Sequence, residues 1–358
     1  MIQIFHNVNI DWLGSRRKFI VVSVALMLAG LTSAVVRQAV PGGTDAFNLG
    51  VDFKGGTVVT VSFLKGQTPS ADAISSELGK QGIKDAVVQP VTGKQQFLIK
   101  LPQQGPVSAP TVDTKAEVDS GRSKVRSALN SFGPEYDPDP AKQAQSVYKI
   151  EGTDAVGPVA GQQLRNQAIA VTLAALVGIL IFISYRFEWT YGAAAVIAVF
   201  HDVLVTIGIF SIFQWEISLT VIAALLTLVG FSVNDTIVVF DRIRENIKLH
   251  RRDSLYKVTN DSINQTLSRT VITSGLVFLS LLAMVIFGGE VLRGFSLALL
   301  IGVAFGTYSS VAIASPIMVW WQERLDAANK SVLPTRETGS NRPNRPQRAR
   351  TAGAAGNR

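Results

Sequence analysis

Cysteine is absent from this 358-residue chain, which excludes disulfides and thiolate metal sites and leaves the compartment open. Histidine is scarce: three residues without paired spacing give no metal-centre pattern. Charge is thin as well. Asp, Glu, Lys and Arg make up 17% of the residues, against about 25% in ordinary soluble domains. The deficit is local, because apolar runs of about 18 residues or more, long enough to cross a ~30 Å hydrocarbon core, alternate with charged stretches. The formal net charge of +8 lies largely beside those runs and in the C-terminal tail. There it reads as topology and lipid contact, not nucleic-acid binding.

What is present is a polytopic pattern of six spans. The first runs over 19–36, after a cytoplasmic N-terminus of 1–18 that ends in Arg16-Arg17-Lys18. A signal peptide would carry an apolar region of about 7–15 residues, so an uncleaved anchor fits better. A polar domain of 37–166 follows. Further spans are expected at 168–185, 190–213, 218–240, 269–287 and 295–321, with a charged amphipathic segment at 241–266 and a basic, disordered tail at 322–358. Arg186, Arg242, Arg244, Lys248, Arg251 and Arg252 all fall on the side of the first basic cluster, and the opposite short loops hold only Arg293. The positive-inside rule then places both termini in the cytoplasm and the polar domain outside.

The outer domain reads as mixed α/β. Strands are expected at 57–63, 86–91, 95–101 and 145–151, and helices at 70–81 and 113–131, with a hairpin turn at Thr92-Gly93-Lys94. The order β-α-β-β-α-β is the ferredoxin-like arrangement. The glycines of Phe47–Thr57 are a candidate phosphate loop only superficially. They lack the Gly-Lys-Ser/Thr ending and precede a strand, so Gly50, Asp52, Gly55 and Gly56 read as a structural turn that admits the chain into the outer domain.

Ionisable groups inside spans cost at least about 2.5–3.5 kcal/mol on insertion scales, which makes them the first functional candidates. Asp235, in the fourth span, sits roughly 9 Å from the span centre toward the cytoplasmic side. Arg269 opens the fifth span from the same side, so the two can occupy similar depths and pair. The alternative for Arg269 is an interface residue that snorkels without a partner. Asn234 and Thr236 offer uncharged hydrogen bonds to Asp235, as a proton relay needs; a static polar clasp between helices is the competing reading. His201-Asp202 in the third span is a possible accessory pair, or simply a buried structural contact. Gly302, Gly306 and Ser310 mark a packing face in the sixth span, and Gly230 with Asn234 a corresponding face in the fourth.

Leu49-Gly50-Val51-Asp52-Phe53-Lys54-Gly55-Gly56-Thr57 and the run Gly230–Asn246, with Val156-Gly157-Pro158, His201-Asp202-Val203 and Asn264–Thr270 in support, resemble the SecF family of the bacterial SecD–SecF protein-export pair. The resemblance implies six spans, half of a resistance-nodulation-division (RND)-like bundle, with a periplasmic ferredoxin-like domain between the first and second. It implies a location in the bacterial inner membrane and assembly with SecD and the SecYEG channel, with YajC as a further partner. It also implies proton-driven assistance to preprotein translocation after SecA has acted, without a cofactor. By motif match, Asp235 and Arg269 are similar to the family's proton-pathway residues. The alternatives are half of an RND-type small-molecule exporter and a non-conducting scaffold for SecD. An intramembrane aspartyl protease built from Asp202 and Asp235 fits poorly, since no Gly-x-Gly-Asp signature accompanies them. The Pro-rich insertion at Gln103–Pro110 has no assigned role.

Overall fold

A computed structural model describes residues 9–40, 45–64, 66, 68–83, 86–91, 94–102, 114–143 and 145–332. The expected turn at Thr92-Gly93, the Pro-rich insertion and the tail beyond Val332 lie outside the described residues. The elements run α1 (Arg16–Ala39), α2 (Val51–Lys54), β1 (Gly56–Phe63), α3 (Ala71–Lys80), β2 (Val87–Val91), β3 (Gln96–Pro102), α4 (Thr114–Leu129), α5 (Pro140–Gln143), β4 (Tyr148–Val156), α6 (Pro158–Arg186), α7 (Trp189–Phe213), α8 (Leu219–Leu249), α9 (Leu255–Phe287), α10 (Gly289–Ser309), a π-helical segment (Ser310–Ala314) and α11 (Ser315–Val332).

Among the described residues six helical stretches are long and apolar enough to cross a membrane: α1, α6, α7, α8, α9 and the continuous α10–α11 rod. They are not equivalent. Only 6% of the apolar window of α6 is buried within the chain, against 56% for α7. α7, α8 and α10–α11 therefore form the inner layer. α1, α6 and α9 turn side chains such as Val21, Ile181 and Leu276 outward, as helices that are hydrophobic all round do in lipid.

Helix contacts inside the bundle rest on small residues. A Cβ added to Gly302 would lie 2.4 Å from Leu228, and one on Gly306 3.2 Å from Ser232. One turn further, Ser310 Oγ meets Thr236 Oγ1 at 3.0 Å. The expected face of the sixth span is thus the α10 side of a ladder onto Leu228, Ser232 and Thr236 of α8. The face expected from Gly230 and Asn234 is not part of it. Both are exposed, and a Cβ on Gly230 would meet nothing within 4 Å. The true ladder on α8 is made by a leucine and two hydroxyl residues, which the small-residue rule does not single out. α1 crosses α7 at Gly30 and Gly208, where a Cβ on Gly30 would come within 2.5 Å of Gly208 Cα.

The sixth span also departs from a plain helix. Pro316 has no N–H, so the carbonyl four residues earlier loses its ordinary donor. The five-residue π segment ends two residues before it, and Ser315 Oγ donates to Ser310 O at 2.9 Å.

The outer domain is a four-stranded antiparallel sheet in the order β2-β3-β1-β4, the ferredoxin-like order. Val59, Val61 and Phe63 of β1 and Phe97, Ile99 and Leu101 of β3 point alternately into one core with Ile74, Leu78, Val125 and Leu129 of α3 and α4. Ser70 caps α3, its Oγ accepting from Ala73 N at 3.2 Å. Tyr148 donates from within that core to Asn130 Oδ1 at 3.0 Å, and burial raises its pKa to about 12. β4 begins at Tyr148 and runs past its expected end to Val156. Its polar second half, Glu151–Asp154, is held by pairing with β1 back to Gly56. Strand pairing here overrides a composition that reads as loop.

Candidate functional site within the membrane bundle

Asp235 lies on the inner face of α8, one turn beyond Ser232, and is 3% exposed. Its Oδ2 accepts from Ser274 Oγ of α9 at 2.8 Å and from Thr307 Oγ1 of α10 at 3.3 Å. The carboxylate is therefore held by hydroxyls from two other helices, not by its sequence neighbours. Asn234 is exposed, and Thr236 bonds Ser310 instead. This corrects the expectation for both residues. Consecutive side chains on an α-helix leave it about 100° apart, and here those of positions 234 and 236 turn away from the Asp235 carboxylate.

Arg269 is exposed on α9. Among the described residues no ion pair within 4.0 Å joins it to Asp235. The expected equality of depth is only approximate: Arg269 lies about 7.5 Å of helical rise from Ser274, at 1.5 Å per residue. In this structure the two groups are apart.

The second acid is buried more deeply. Asp202 on α7 is 1% exposed. Its Oδ2 accepts from Ser232 Oγ at 2.6 Å and Ser309 Oγ at 2.8 Å, and its Oδ1 faces His201 Nδ1 at 3.0 Å. Each acid is thus bound by its own pair of hydroxyls, which is not the shared-proton geometry of an aspartyl protease. The same two helices, α8 and α10, nevertheless serve both. Ser232 and Asp235 are one turn apart on α8, and Thr307 and Ser309 lie two residues apart on α10.

Sequence reasoning missed Ser274, Thr307, Ser309 and Ser232, since single hydroxyls inside spans are common helix-packing residues. It also missed a strap that runs across the base of α9. Asn264 Nδ2 donates to Ile10 O at 3.0 Å while its Oδ1 accepts from Trp12 Nε1 at 3.0 Å. Asn260 donates to Ile10 O and accepts from Trp12 N, both at 2.9 Å. Tyr256 OH donates to Asp11 Oδ1 at 2.6 Å. That bond and the Gly14 N–H hold the Asp11 carboxyl below its usual range. The i, i+4 spacing of Tyr256, Asn260 and Asn264 was the available signal. The strap fixes the helix that carries Arg269 and Ser274.

At the other end, the Gly50–Gly56 turn ties the outer domain to the bundle. Asp52 Oδ2 accepts from Leu219 N at 2.9 Å and so caps α8. Gly50 N donates to Ile217 O at 2.9 Å, and Ile217 N to Asn48 O at 2.8 Å. Gly55 and Gly56 adopt φ of 80° and 145°, and a Cβ on Gly56 would strike Leu101 O at 2.4 Å. The motif is a joint that requires glycine. Lys100 of β3 pairs with Glu216 in the same region. An open crevice of about 490 Å³ lies between sheet and bundle, walled by Gln89, Lys100, Glu216, Thr220 and Arg293. Leu49, Val87, Leu98 and Trp215 also line it, so it is a mixed, open crevice and not the enclosed pocket that holds a drug-sized molecule.

Comparison with known proteins agrees with this architecture. Residues 139–324 match the model for protein export membrane protein SecD/SecF, C-terminal, and residues 43–63 the SecD/SecF GG motif. The chain is 40% identical to the protein translocase subunit SecF of Koribacter versatilis, covering 93% of this chain and 96% of that one. It is 37% identical to SecF of Rhodothermus marinus, over 92% and 98%. The crystal structure of SecDF, a translocon-associated membrane protein from Thermus thermophilus, superposes with a TM-score of 0.69 at 34% identity, over 89% of this chain. The chain spans 39% of the length of that SecDF protein.

Proposed function

We propose that this chain, which belongs to the SecF family of protein translocase subunits, uses the proton motive force with SecD to assist preprotein translocation. In this reading Asp235 is the proton-carrying group and Arg269 its intermittent counter-ion. The observation that carries it is the state of Asp235: nearly enclosed by the bundle and bound, among the described residues, by Ser274 and Thr307, with no ion pair to Arg269. A hydroxyl donates to a carboxylate or accepts from a carboxylic acid by rotating, so this cradle serves both protonation states. Protonated Asp235 rests on the hydroxyls. Ionised Asp235 draws Arg269 toward it, because a paired charge is far cheaper inside a membrane than a lone one. One charge crossing 100 mV supplies about 2.3 kcal/mol, enough to bias a two-state helix arrangement.

The outer domain receives the movement through α8, which bears Asp235 and is capped by Asp52 of the Gly-Gly motif. The basic flanks support an inner-membrane orientation with both termini cytoplasmic and the outer domain periplasmic. SecD belongs on an open face of the bundle. The exposed stripe of α8, Ala223, Thr227, Gly230 and Asn234, is small or polar, the composition of a helix–helix contact and not of a lipid face. The SecYEG channel and YajC are further partners in this reading, and preprotein is the cargo.

Asp235→Asn tests the proposal in proteoliposomes holding the SecD pair and the channel. The variant keeps the volume and one acceptor oxygen but cannot cycle a proton. Assembly should stay intact while gradient-stimulated completion of export falls to the level without the complex. Unreduced stimulation would refute the relay, and would also be the result of a pure scaffold.

A further inference from the structure

We propose that His201 and Asp202 form a second proton-holding site, with His201 Nε2 as the atom that takes up and releases the proton. Its part in transport rests on the proton-coupled reading above. Both residues are more than nine-tenths buried, at 5% and 1% exposure. Asp202 is fully engaged by His201 Nδ1, Ser232 Oγ and Ser309 Oγ. His201 is not. Its Nδ1 bonds only its own sequence neighbour, so it joins no second helix, and its Nε2 is buried without a hydrogen-bond partner among the described residues. Buried polar atoms are almost always satisfied, and the exceptions call for a chemical reason.

The charges explain why the pair holds a proton. Carboxylate with neutral imidazole carries one negative charge inside a span, where isolated charge is costly. In that state the Nδ1–H donates to Asp202, which leaves the Nε2 lone pair open. A proton arriving from water forms an N–H bond at Nε2 and yields an imidazolium balanced by Asp202. It departs from the same atom, and no other bond changes. The elements packed against α7 bring two other titratable groups into the span interior, Asp235 of α8 and Tyr308 of α10. The charges of α1 and α6 sit at their ends (Arg16, Arg17, Lys18 and Arg37; Arg165 and Arg186), as do those of α10 and α11, and the π segment has none. Asp202 and Asp235 are held by the same α8–α10 seam, so a shift of α8 along α10 alters both sites together.

Nuclear magnetic resonance of the full chain, labelled with ¹⁵N-histidine in lipid nanodiscs, tests this directly. The chain has three histidines, so His6→Gln with His250→Gln leaves His201 as the sole imidazole. Its signal should convert from neutral imidazole to imidazolium as pH falls, and Asp202→Asn should abolish the conversion over the same range. A signal that remains one neutral tautomer throughout overturns the proposal. That titration decides even where Asp202→Asn fails to fold. In export assays His201→Gln should flatten the pH profile of stimulation, whereas a packing role would lower its amplitude equally at every pH and overturn the proposal. The two readings fail separately: the relay at Asp235 falls on undiminished export by Asp235→Asn, this one on the imidazole signal.

Discussion

The outer domain and the membrane bundle differ in what they bury beside their apolar cores. The domain's core is a continuous apolar cluster from Val59 to Ile150, in which the Tyr148 hydroxyl is satisfied by Asn130 Oδ1. The bundle's interior sets His201, Asp202, Thr206, Ser232, Asp235, Thr236, Ser309 and Ser310 among buried apolar side chains such as Val203, Leu228 and Phe240. Water drives apolar side chains together in the domain. Lipid tails give no such drive, so the bundle coheres through small-residue contacts and hydroxyl bonds. A packed apolar core has one good arrangement. Hydroxyls that rotate and exchange partners at similar energy allow more than one.

The largest effect should come from breaking the apolar side of this contrast. Phe97→Ala removes a buried ring that stacks edge-on against Phe63 and should destabilise the domain by about 3–5 kcal/mol. Limited proteolysis of the full chain should then cut the domain and spare the bundle. Next is Gly302→Leu, which forces a side chain into Leu228 and should cost about 1–3 kcal/mol. Crosslinking between α8 and α10 would report the lost contact, while the domain's protease resistance stays unchanged. Asp52→Ala removes the cap of α8 at about 0.5–2 kcal/mol. It should lower export stimulation more than it lowers thermal stability, because it loosens the joint between the two regions. Equal losses in both would reduce Asp52 to a stabilising residue.

The smallest effect concerns the strap. Asp11 titrates below its usual value because Tyr256 and the Gly14 N–H favour its ionised form. Its contribution is therefore fully present above the ordinary carboxylate range and disappears as pH falls through the lowered value. Hydrogen exchange at Gly14 should accelerate in that acid window, and Tyr256→Phe should move the window upward. No upward movement would show that the Tyr256 bond does not hold the strap.

The residues explain how far the sequence could be read. Six apolar runs, the β-α-β-β-α-β order and the joint at Gly55-Gly56 were legible, since each follows from a local rule of length, alternation or backbone freedom. Asp235 and Arg269 stood out because charge is rare in a span. Their surroundings did not. Ser274 and Thr307 carry the same local signal as Thr227, which faces outward, and only tertiary packing separates them. Gly230 and Asn234 had the right spacing but occupy the open side of α8, because four-residue spacing gives a face without giving its direction. The π turn before Pro316 escaped because a hydropathy window registers composition and not hydrogen-bond register. The strap escaped because its partners are separated by some 250 positions in the chain.

α8 runs unbroken for 31 residues, about 46 Å, against a hydrocarbon thickness of about 30 Å. Its first turn is bonded to Asp52 of the short helix that leads into β1, and its middle carries Asp235. A rod of this kind has no joint at which tension could dissipate. Linkage is reciprocal: if proton occupancy at Asp235 moves the domain, then tension on the domain must alter proton affinity at Asp235 by the same free energy. A polypeptide dragging on the outer face would then act as an effector of the proton site, and the stalled chain itself would set the pace of proton entry.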